Sequence, residues 1–401
     1  MSLMPVAEAL QKLLSDVEKL ETEHVPLEQA NGRTLSENLV SKRTQPPFAA
    51  SAMDGYAIRH EDVAGGDAKL DVIGEAPAGH GFSGRVAKGQ TVRIFTGAPL
   101  PEGADTVLIQ ENAQTDGNRI SVLEIPAQGA FVRPAGLDFQ KDQVLLEPPL
   151  ELTYRHLALA AAMNFPDIPA VRRPKVAILA TGDELVRPGA EPGPDQIIAS
   201  NHAGIAGLVE DCGGQPLDLG ISPDDPIELA NHVRRAITEK ADILVTLGGA
   251  SVGDHDLVQD VLGQEGMDLA FWRIAMRPGK PLMAGRLGTT KVLGLPGNPV
   301  SSLVCGLLFL KPLIHAMLGS SAGTSAPKHA ILGGDLPEND RRQDYIRATL
   351  HEDAGGRLVA TPFSKQDSSM LALLARSGAL IVRPPHAPAL KAGSPVDVLV
   401  L

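Results

Sequence analysis

Residues 243–256 read ILVTLGGASVGDHD, and the architecture of the chain can be worked out from this stretch. Ile243–Leu247 is a short apolar run rich in β-branched residues, which is typical of a strand buried on both faces of a parallel sheet. Gly248 and Gly249 follow at once, and glycine lets the backbone turn sharply and approach a ligand. In open α/β sheets, a glycine loop at the carboxyl end of a parallel strand binds phosphorylated ligands. The stretch therefore predicts an α/β domain with its binding edge after Leu247.

Ser251, Gly253, Asp254 and Asp256 complete the same loop, and they add a hydroxyl and two carboxylates. Carboxylates are hard oxygen ligands that suit Mg²⁺ bridging to a phosphate. The alternative is a tight turn whose solvated acids only cap the next helix. The loop by itself leaves both interpretations open.

The composition limits the class of protein. With 401 residues, the chain is long enough for roughly three domains of about 150 residues each. Its 41 glycines and 32 prolines predict many turns, and hence β structure outside the α/β domain. The net charge of −12 argues against general nucleic-acid binding, which needs a basic surface.

The location is predicted to be cytoplasmic, without a membrane span. The start of the chain lacks the pattern of a signal peptide. The most apolar run, residues 300–310, is too short to cross a bilayer. Cys212 and Cys305 are far apart in sequence, which favours a disulfide-free protein of a reducing compartment.

Residues 171–322 alternate strands and helices, which predicts a mostly parallel, doubly wound sheet. Asn201 is predicted to cap one helix, and Asp225, followed by proline, is predicted to cap the next. The strands are expected at residues 176–180, 217–221, 243–247, 271–275 and 292–295.

Three further domains are predicted around this α/β domain. Short alternating runs at residues 69–73, 91–95, 106–109 and 119–123, separated by Gly, Pro and Asp clusters, predict an inserted β domain over residues 45–139. Residues 1–44 and 140–170 would form a discontinuous helical linker domain. Residues 323–401 alternate again and predict a C-terminal, barrel-like β domain.

The acidic chain can hold an anionic ligand only through local groups. Asn298 as a helix cap, with Pro299 in the first turn, leaves backbone N–H groups pointing outward as an anion site. Arg273, Arg277 and Lys280 form a concentrated basic patch upstream, although a solvated rim would have the same composition. Zinc-ligand spacing and a Cys–His pair are missing from the sequence. Metal-assisted work on a phosphorylated ligand remains the predicted chemistry.

Six motifs in register resemble one family along nearly the full length. They are SAMDGYA, TGAPLPEGAD, TGDEL, LGGASVGDHD, MRPGKP and LPGNPVS. In this order they look like the molybdopterin molybdenumtransferases of molybdenum-cofactor biosynthesis, a family that includes the C-terminal domain of gephyrin. The resemblance implies an elongated homodimer whose active cleft involves the β domain of the partner subunit. It also implies the reaction of adenylylated molybdopterin with molybdate to give molybdenum cofactor and AMP, assisted by Mg²⁺ or another divalent cation.

Motif positions carry the family's functional residues over to this chain. An acidic cleft would be lined by Asp54, Thr96, Asp138, Glu184, Asp224 and Asp256. Metal ligands would be Glu184, Asp254 and Asp256, with most weight on Asp256. The substrate would be held by Gly248, Gly249, Ser251, Gly253, Arg273, Arg277, Lys280, Pro296, Gly297, Asn298, Pro299, Arg347 and Ser368.

Two alternatives belong to other functional classes. A molybdopterin adenylyltransferase would share the α/β domain, but that activity would not need the flanking β domains. A non-catalytic, gephyrin-like scaffold is disfavoured because clustered, unpaired carboxylates repel one another. Expected partners are a second copy of the chain and, beyond it, molybdopterin adenylyltransferase and molybdoenzyme maturation proteins.

Overall fold

The computed structural model describes residues 3–248, 257–320 and 326–401. The chain divides into two compact units, Met1–Glu23 with Val171–Leu401, and His24–Ala170. A π-helical turn, Gly306–Leu310, joins the sixth helix to the seventh. The α-helices are α1 (Val6–Leu14), α2 (Tyr154–Ala162), α3 (Ser200–Asp211), α4 (Pro226–Thr238), α5 (Leu257–Gln264), α6 (Pro299–Cys305), α7 (Lys311–Met317) and α8 (Leu371–Ala375).

Half of the strands belong to the first part of the chain, up to Val171. They are β1 (Thr22–Pro26), β2 (Thr34–Leu35), β3 (Leu39–Val40), β4 (Ala50–Ser51), β5 (Gly55–Ile58), β6 (Lys69–Ala76), β7 (Gln90–Ile94), β8 (Thr106–Ile109), β9 (Ala113–Asp116), β10 (Arg119–Val122), β11 (Val132–Arg133), β12 (Val144–Leu146), β13 (Leu150–Glu151) and β14 (Asp167–Val171).

The other strands follow in the remainder of the chain. They are β15 (Lys175–Thr181), β16 (Leu185–Val186), β17 (Ile197–Ile198), β18 (Gln215–Ser222), β19 (Ile243–Leu247), β20 (Asp268–Trp272), β21 (Met276–Arg277), β22 (Met283–Leu287), β23 (Thr290–Leu295), β24 (Lys328–Leu332), β25 (Gln343–Glu352), β26 (Leu358–Pro362), β27 (Ala379–Arg383) and β28 (Pro395–Val400).

A six-stranded sheet, in the order β18-β15-β19-β23-β22-β20, forms the centre of the larger unit. Its first four strands are parallel, and β22 and β20 complete it in antiparallel orientation. Strand β19 has the predicted bounds, and all five of its residues are buried. Helices α3, α6 and α7 contribute to the core on one face, and α4 and α5 to the core on the other. The predicted doubly wound α/β fold is confirmed.

The sequence missed one strand and shifted another. Strand β22 contains Gly285, and glycine lowers strand propensity, so the pattern did not reveal it. The strand expected at residues 271–275 lies at Asp268–Trp272 and runs antiparallel to β22. An antiparallel neighbour needs no crossover helix, which is why the alternation of strands and helices ends here.

The N-caps predicted for two helices had different outcomes. Asp225 caps α4 as predicted, since its carboxylate accepts the N–H groups of Ile227 and Glu228 at 2.9 Å each. The prediction that Asn201 caps α3 is wrong, because α3 begins at Ser200 with Ala199 in the cap position. The side chain of Asn201 is used elsewhere, in the candidate site described below.

The apolar run at residues 300–310 belongs to a longer helical segment than the sequence predicted. Helices α6 and α7 with the π-turn between them span Pro299–Met317, and these 19 residues have the length and composition to cross a membrane. Within the protein, 67% of the segment's most apolar part is buried, and Phe309 and Leu313 belong to the α/β core. Packing inside the fold therefore explains its apolar composition.

The smaller unit, residues 24–170, is built largely from β structure. Its main sheet has the order β8-β5-β7-β6-β10-β9 and carries a hydrophobic cluster on each face. The strands expected from alternation near residues 69, 91, 106 and 119 coincide with β6, β7, β8 and β10. Helix α2 packs with short strands around Leu35 and Ile168. Helix α1 packs into the α/β core through Ala9 and Leu13, and the four-domain division of the chain stays a prediction.

The C-terminal strands close into a barrel. The order is β25-β26-β24-β28-β27, and β27 pairs with β25 to complete the ring. Strand β21 joins the barrel from outside, in parallel with the start of β25. The barrel-like prediction for this region is confirmed.

An ion-pair network fixes the amino-terminal edge of the central sheet. The guanidinium of Arg172 donates to both carboxylate oxygens of Asp242, at 2.8 and 2.9 Å, and its Nε donates to Glu21 at 2.5 Å. Asp242 also accepts the backbone N–H of Lys175 at 2.7 Å. The network thus joins the segments that precede β15 and β19, with Asp242 only 15% exposed.

Replacing Arg172 by methionine should lower the free energy of unfolding of the larger unit by about 2 kcal/mol, because Asp242 would keep a buried charge without its partner. Urea unfolding can be followed by the fluorescence of Trp272, the single tryptophan of the chain, which lies on β20. The exposed Lys391–Asp335 pair in the same unit provides the control, since Lys391→Met should leave the midpoint unchanged. Equal shifts in both variants would show that burial of Asp242 adds nothing to the strength of the Arg172 pair.

Candidate active site

A cavity of about 550 Å³ opens at the carboxyl ends of β15, β19 and β23. We call it the sheet-edge cavity. Its lining includes six residues singled out from the sequence, Glu184, Gly248, Pro296, Gly297, Asn298 and Pro299. Parallel strands end at the same edge of a sheet, so loops more than 100 residues apart in sequence meet here.

Glu184 reaches this cavity through a tight turn after β15. Gly182 has a φ of +139°, and a β-carbon there would collide with the Glu184 carboxylate. Glycine is therefore required at residue 182 for the carboxylate to fold back over the turn. The backbone C=O of Glu184 accepts the N–H of Ile197 at 2.7 Å, which ties the turn to β17.

Asp183 links this turn to the neighbouring loop after β18. Its carboxylate accepts the backbone N–H of Asp224 at 3.1 Å, and the N–H of Gly182 donates to the C=O of Ser222 at 3.2 Å. Asp224 itself is exposed. The structure thus brings the Glu184 and Asp224 loops together, through a carboxylate that sequence reasoning did not select.

The loop after β23 packs directly on the start of the glycine loop. Gly248 has a φ of +100°, and a β-carbon on it would lie 2.8 Å from the C=O of Thr181. A β-carbon on Gly297 would lie 3.7 Å from the Cα of Gly248. The amide of Asn201 donates to the C=O of Gly297 at 2.7 Å, so α3 holds the loop at residues 296–299 in place.

The predicted anion site at the start of α6 is only partly open. Asn298 occupies the N-cap position and Pro299 follows it, as predicted. However, the N–H of Val300 already donates to the C=O of Ser368 at 3.0 Å, and the N–H of Ser302 donates to Asn298 at 2.9 Å. The expectation of freely exposed N–H groups is corrected to this extent, because a loop from the C-terminal barrel covers the helix start.

Arg347 holds that covering loop and is itself only 1% exposed. Its guanidinium donates to the C=O of Asp367 at 2.9 Å and to the C=O of Met370 at 3.1 Å. Gln366 accepts from the Arg347 backbone N–H at 3.0 Å and returns a bond to the Arg347 C=O at 3.0 Å. Arg347 therefore shapes the loop that contains Ser368 and Ser369. Of these two serines, Ser369 lines the sheet-edge cavity.

A second cavity, of about 630 Å³, lies in the barrel region and contains Arg277 and Arg347 in its lining. We call it the barrel cavity. Arg277 is half-exposed, and its Nε donates to Asp344 at 2.8 Å while a second bond joins its Nη2 to the same carboxylate. The Asp344 hydrogen bonds raise the pKa of Arg277. Predicted site residues therefore line two separate cavities of the larger unit.

The other two basic residues of the predicted patch have different surroundings. Arg273 adopts a φ of +72°, an uncommon conformation for a non-glycine residue, and its guanidinium lies 4.1 Å from the centroid of the Trp272 ring. Lys280 is partly exposed, and its backbone C=O accepts the N–H groups of Ile274 at 3.0 Å and Leu282 at 3.2 Å. Arg273 at Trp272 and Arg277 at Asp344 therefore do not share a partner.

In the smaller unit, Asp54 and Thr96 meet although they lie 42 residues apart. One carboxylate oxygen of Asp54 accepts both the N–H and the hydroxyl of Thr96, each at 2.8 Å. The N–H bond, followed by the hydroxyl bond, lowers the pKa of Asp54. Asp138 is exposed on a loop whose backbone N–H donates to Gln45 at 3.0 Å.

Part of the predicted site lies outside the described residues, including two of the three predicted metal ligands. These residues are Gly249, Ser251, Gly253, Asp254 and Asp256. Within residues 3–248, 257–320 and 326–401, no three His, Cys, Asp or Glu side chains group as a metal site. Glu184 is the one predicted ligand that the structure places.

Family comparisons cover nearly the whole chain. Residues 4–164 match the MoeA N-terminal region (domain I and II), residues 177–316 a probable molybdopterin binding domain, and residues 329–401 the MoeA C-terminal region (domain IV). The molybdopterin molybdenumtransferase of a Nostoc species is 38% identical over 95% of this chain and 88% of its own length. The chain belongs to the molybdopterin molybdenumtransferase family.

Other members of the family are similarly close. The molybdopterin molybdenumtransferase of Haemophilus influenzae is 33% identical over 94% of this chain and 93% of its own. The solved structure of a molybdopterin biosynthesis MoeA protein from Pyrococcus horikoshii superposes with a TM-score of 0.86 at 29% identity, covering 100% of this chain and 99% of that one. The family resemblance drawn from the six motifs is confirmed.

Sequence reasoning missed three polar residues that line the two cavities, namely Asn201, Asp344 and Gln366, and it missed Asp183 in the turn before Glu184. Asp183 sits within the TGDEL motif, so its position was visible even though its role was not. Asn201 was predicted to cap α3, whereas its side chain binds the C=O of Gly297 in a distant loop. Asp344 and Gln366 carry no local signal, because their partners come from other strands and loops.

Thr96→Val should raise the pKa of Asp54 towards its ordinary value but not fully, because the backbone N–H bond remains. The Asp54–Thr96 contact stabilises the folded protein at pH values above the ordinary pKa of an aspartate. This stabilisation is lost as the pH falls through the lowered pKa of Asp54. A ¹³C NMR titration of the carboxyl carbon measures the change. Thr115→Val, on the exposed strand β9, is the control, and an unchanged pKa in the Thr96 variant would refute the assignment.

Proposed function

We propose that this protein inserts molybdenum into adenylylated molybdopterin, releasing AMP and forming molybdenum cofactor. Membership of the molybdopterin molybdenumtransferase family over nearly the full chain supports the reaction. Glu184, Gly248 and the loop at residues 296–299 converge on the sheet-edge cavity, and this convergence supports the cavity as the site of the reaction. Open α/β sheets bind nucleotides and related phosphate esters at this edge.

The residues of the sheet-edge cavity suit a phosphorylated substrate. Glycines at residues 182, 248 and 297 let backbone groups approach the ligand without a side chain between them. Thr181 lines the cavity, and its buried hydroxyl has no hydrogen-bond partner among the described residues. This hydroxyl can turn towards a phosphate oxygen. Positioning of the anhydride is the main effect that such fixed groups supply.

The donor set fits a divalent cation at this edge. Glu184 faces the cavity without an ion-pair partner among the described residues, and carboxylates are the oxygen ligands that Mg²⁺ prefers. Glu184 would hold the cation together with Asp254 and Asp256 of the adjoining loop. A bound Mg²⁺ would neutralise charge that develops on the phosphates as AMP leaves.

Cationic side chains would hold the oxyanions of the reaction. Arg277 is half-exposed at the barrel cavity, and Lys280 and Arg273 lie on the same short segment. Their charges compensate for an acidic chain that would otherwise repel molybdate and phosphates. Asp54, Thr96, Asp138 and Asp224 belong to this proposal through the family resemblance, as parts of an acidic cleft completed by a partner subunit.

The assembly and location follow the same resemblance. We infer a cytoplasmic homodimer, in which the smaller unit of one copy serves the α/β unit of the other. Sedimentation equilibrium should then give twice the chain mass of 42.1 kDa. A mass of a single chain under assay conditions would reject the shared cleft. Molybdopterin adenylyltransferase and molybdoenzyme maturation proteins are the proposed partners upstream and downstream.

Glu184→Gln should slow AMP release from adenylylated molybdopterin by about 100-fold in the presence of molybdate and Mg²⁺, because one charged ligand is lost while the shape is kept. Asp256→Ala should have an effect of the same order. Glu191→Gln is the matched control, since Glu191 is exposed on the same connection and does not line the cavity. AMP is measured by chromatography in single-turnover reactions.

Two outcomes would contradict the proposal. Full activity of Glu184→Gln would remove the metal role of this carboxylate. Adenylylated product formed from ATP and bare molybdopterin would favour the adenylyltransferase alternative, and the native chain is expected to give none. The scaffold alternative requires that the native chain release no AMP at all.

A further inference from the structure

Three charged residues lie in one row across three neighbouring strands of the barrel region. Arg277 on β21 pairs in register with Asp344 on β25, and Asp344 pairs in register with Arg383 on β27. Residues that are in register on adjacent strands project to the same face of a sheet, with β-carbons about 4.5–5.5 Å apart in antiparallel pairs. Asp344 therefore lies between two arginines.

The central carboxylate is bound by only one of them. Both oxygens of Asp344 accept hydrogen bonds from Arg277. Arg383 instead donates from its Nη2 to three backbone carbonyls, at 3.3 Å to Pro337, 3.2 Å to Ala387 and 2.5 Å to Pro388. Its Nε and Nη1 are buried and have no hydrogen-bond partner in the part of the chain that the structure describes.

This arrangement leaves Arg383 with unsatisfied donors next to a suitable acceptor. Arg383 is 2% exposed and Asp344 is 4% exposed, so bulk solvent reaches neither group. Burial lowers the pKa of Arg383, and the charge of Asp344 opposes that shift. Arg277, in contrast, has a half-exposed side chain that can leave the row and remain solvated.

We propose that Asp344 is a positioning residue that exchanges Arg277 for Arg383 when an oxyanion binds Arg277 at the barrel cavity. In the free protein, Asp344 holds Arg277 and keeps its charge neutralised. When a tetrahedral dianion such as molybdate takes the Arg277 guanidinium, the carboxylate turns to Nε and Nη1 of Arg383. The exchange means that Arg277 can be released without leaving a buried carboxylate unpaired, which would otherwise oppose binding.

The exchange rests on the proposed role of Arg277 in holding an oxyanion, and it predicts a specific coupling. Titration calorimetry of the full chain with sodium molybdate gives the Kd. Arg383→Met should weaken binding by about tenfold, within the range usual for coupled sites, because Asp344 then loses its second partner. Arg341→Met removes one exposed positive charge from a nearby loop and should change the Kd by less than about twofold.

A double-mutant cycle separates exchange from simple attraction of the anion by Arg383. In the Asp344→Asn background, Arg277 keeps its ion pair with Asp340 at 3.5 Å, and residue 344 has no charge to exchange between the two arginines. Arg383→Met should then change the Kd by less than about twofold. An unchanged tenfold loss in that background would show that Arg383 attracts the anion directly and would overturn the exchange. No effect of Arg383→Met in the native background would overturn it as well.

Failure of the underlying function has a different signature. If the native chain does not bind molybdate, both proposals are overturned, whereas binding with no dependence on Arg383 removes the exchange alone. Should a variant fail to fold, crystals of the native chain soaked in molybdate provide the second measurement. Asp344 bonded to Arg383, with the anion on Arg277, is the expected result, and an unmoved Arg277–Asp344 pair beside a bound anion would refute the exchange.

Discussion

The parallel hydrogen-bond ladder that joins Lys175–Thr181, Ile243–Leu247 and Thr290–Leu295 sets where Thr181, Gly248 and Pro296 enter the sheet-edge cavity. The register pairs Ala180 with Leu247 and Leu247 with Leu295, so the three strands end at the same level of the sheet. Buried apolar side chains on both faces allow little sliding, because a shift in register would move them out of two cores. The catalytic proposal depends on this alignment.

Glycine is needed where the loops after these strands approach one another. Gly182 makes room for the Glu184 carboxylate, and Gly248 lies against the C=O of Thr181. Both have positive φ values, so side chains at these positions would be strained as well as crowded. The conformational entropy that glycine loses on folding is offset by contacts that hold the loops, such as the bond from Asn201 to Gly297.

The C-terminal barrel takes part in the chemistry proposed for the α/β unit. A loop of the barrel, fixed by the buried guanidinium of Arg347, gives the Ser368 carbonyl to the first N–H of α6. Strand β21 carries Arg277 from the α/β region directly onto the barrel, next to Asp344. Arg277, which we propose holds an oxyanion, is therefore paired with carboxylates of the barrel region and is not a free charge.

The amino-acid sequence was sufficient to establish the α/β and barrel-like classes, the bounds of Ile243–Leu247, the cap at Asp225 and the loops that carry the family motifs. These features depend on residues close together in the chain, where hydrophobic period, glycine and capping side chains act locally. Tertiary contacts were needed to show that Asn201 binds Gly297, that Ser368 covers Val300 and that Arg277 is paired with Asp344. Each of these contacts joins residues more than 60 positions apart, and which distant donor meets which acceptor is set by strand order and register, which no local pattern encodes.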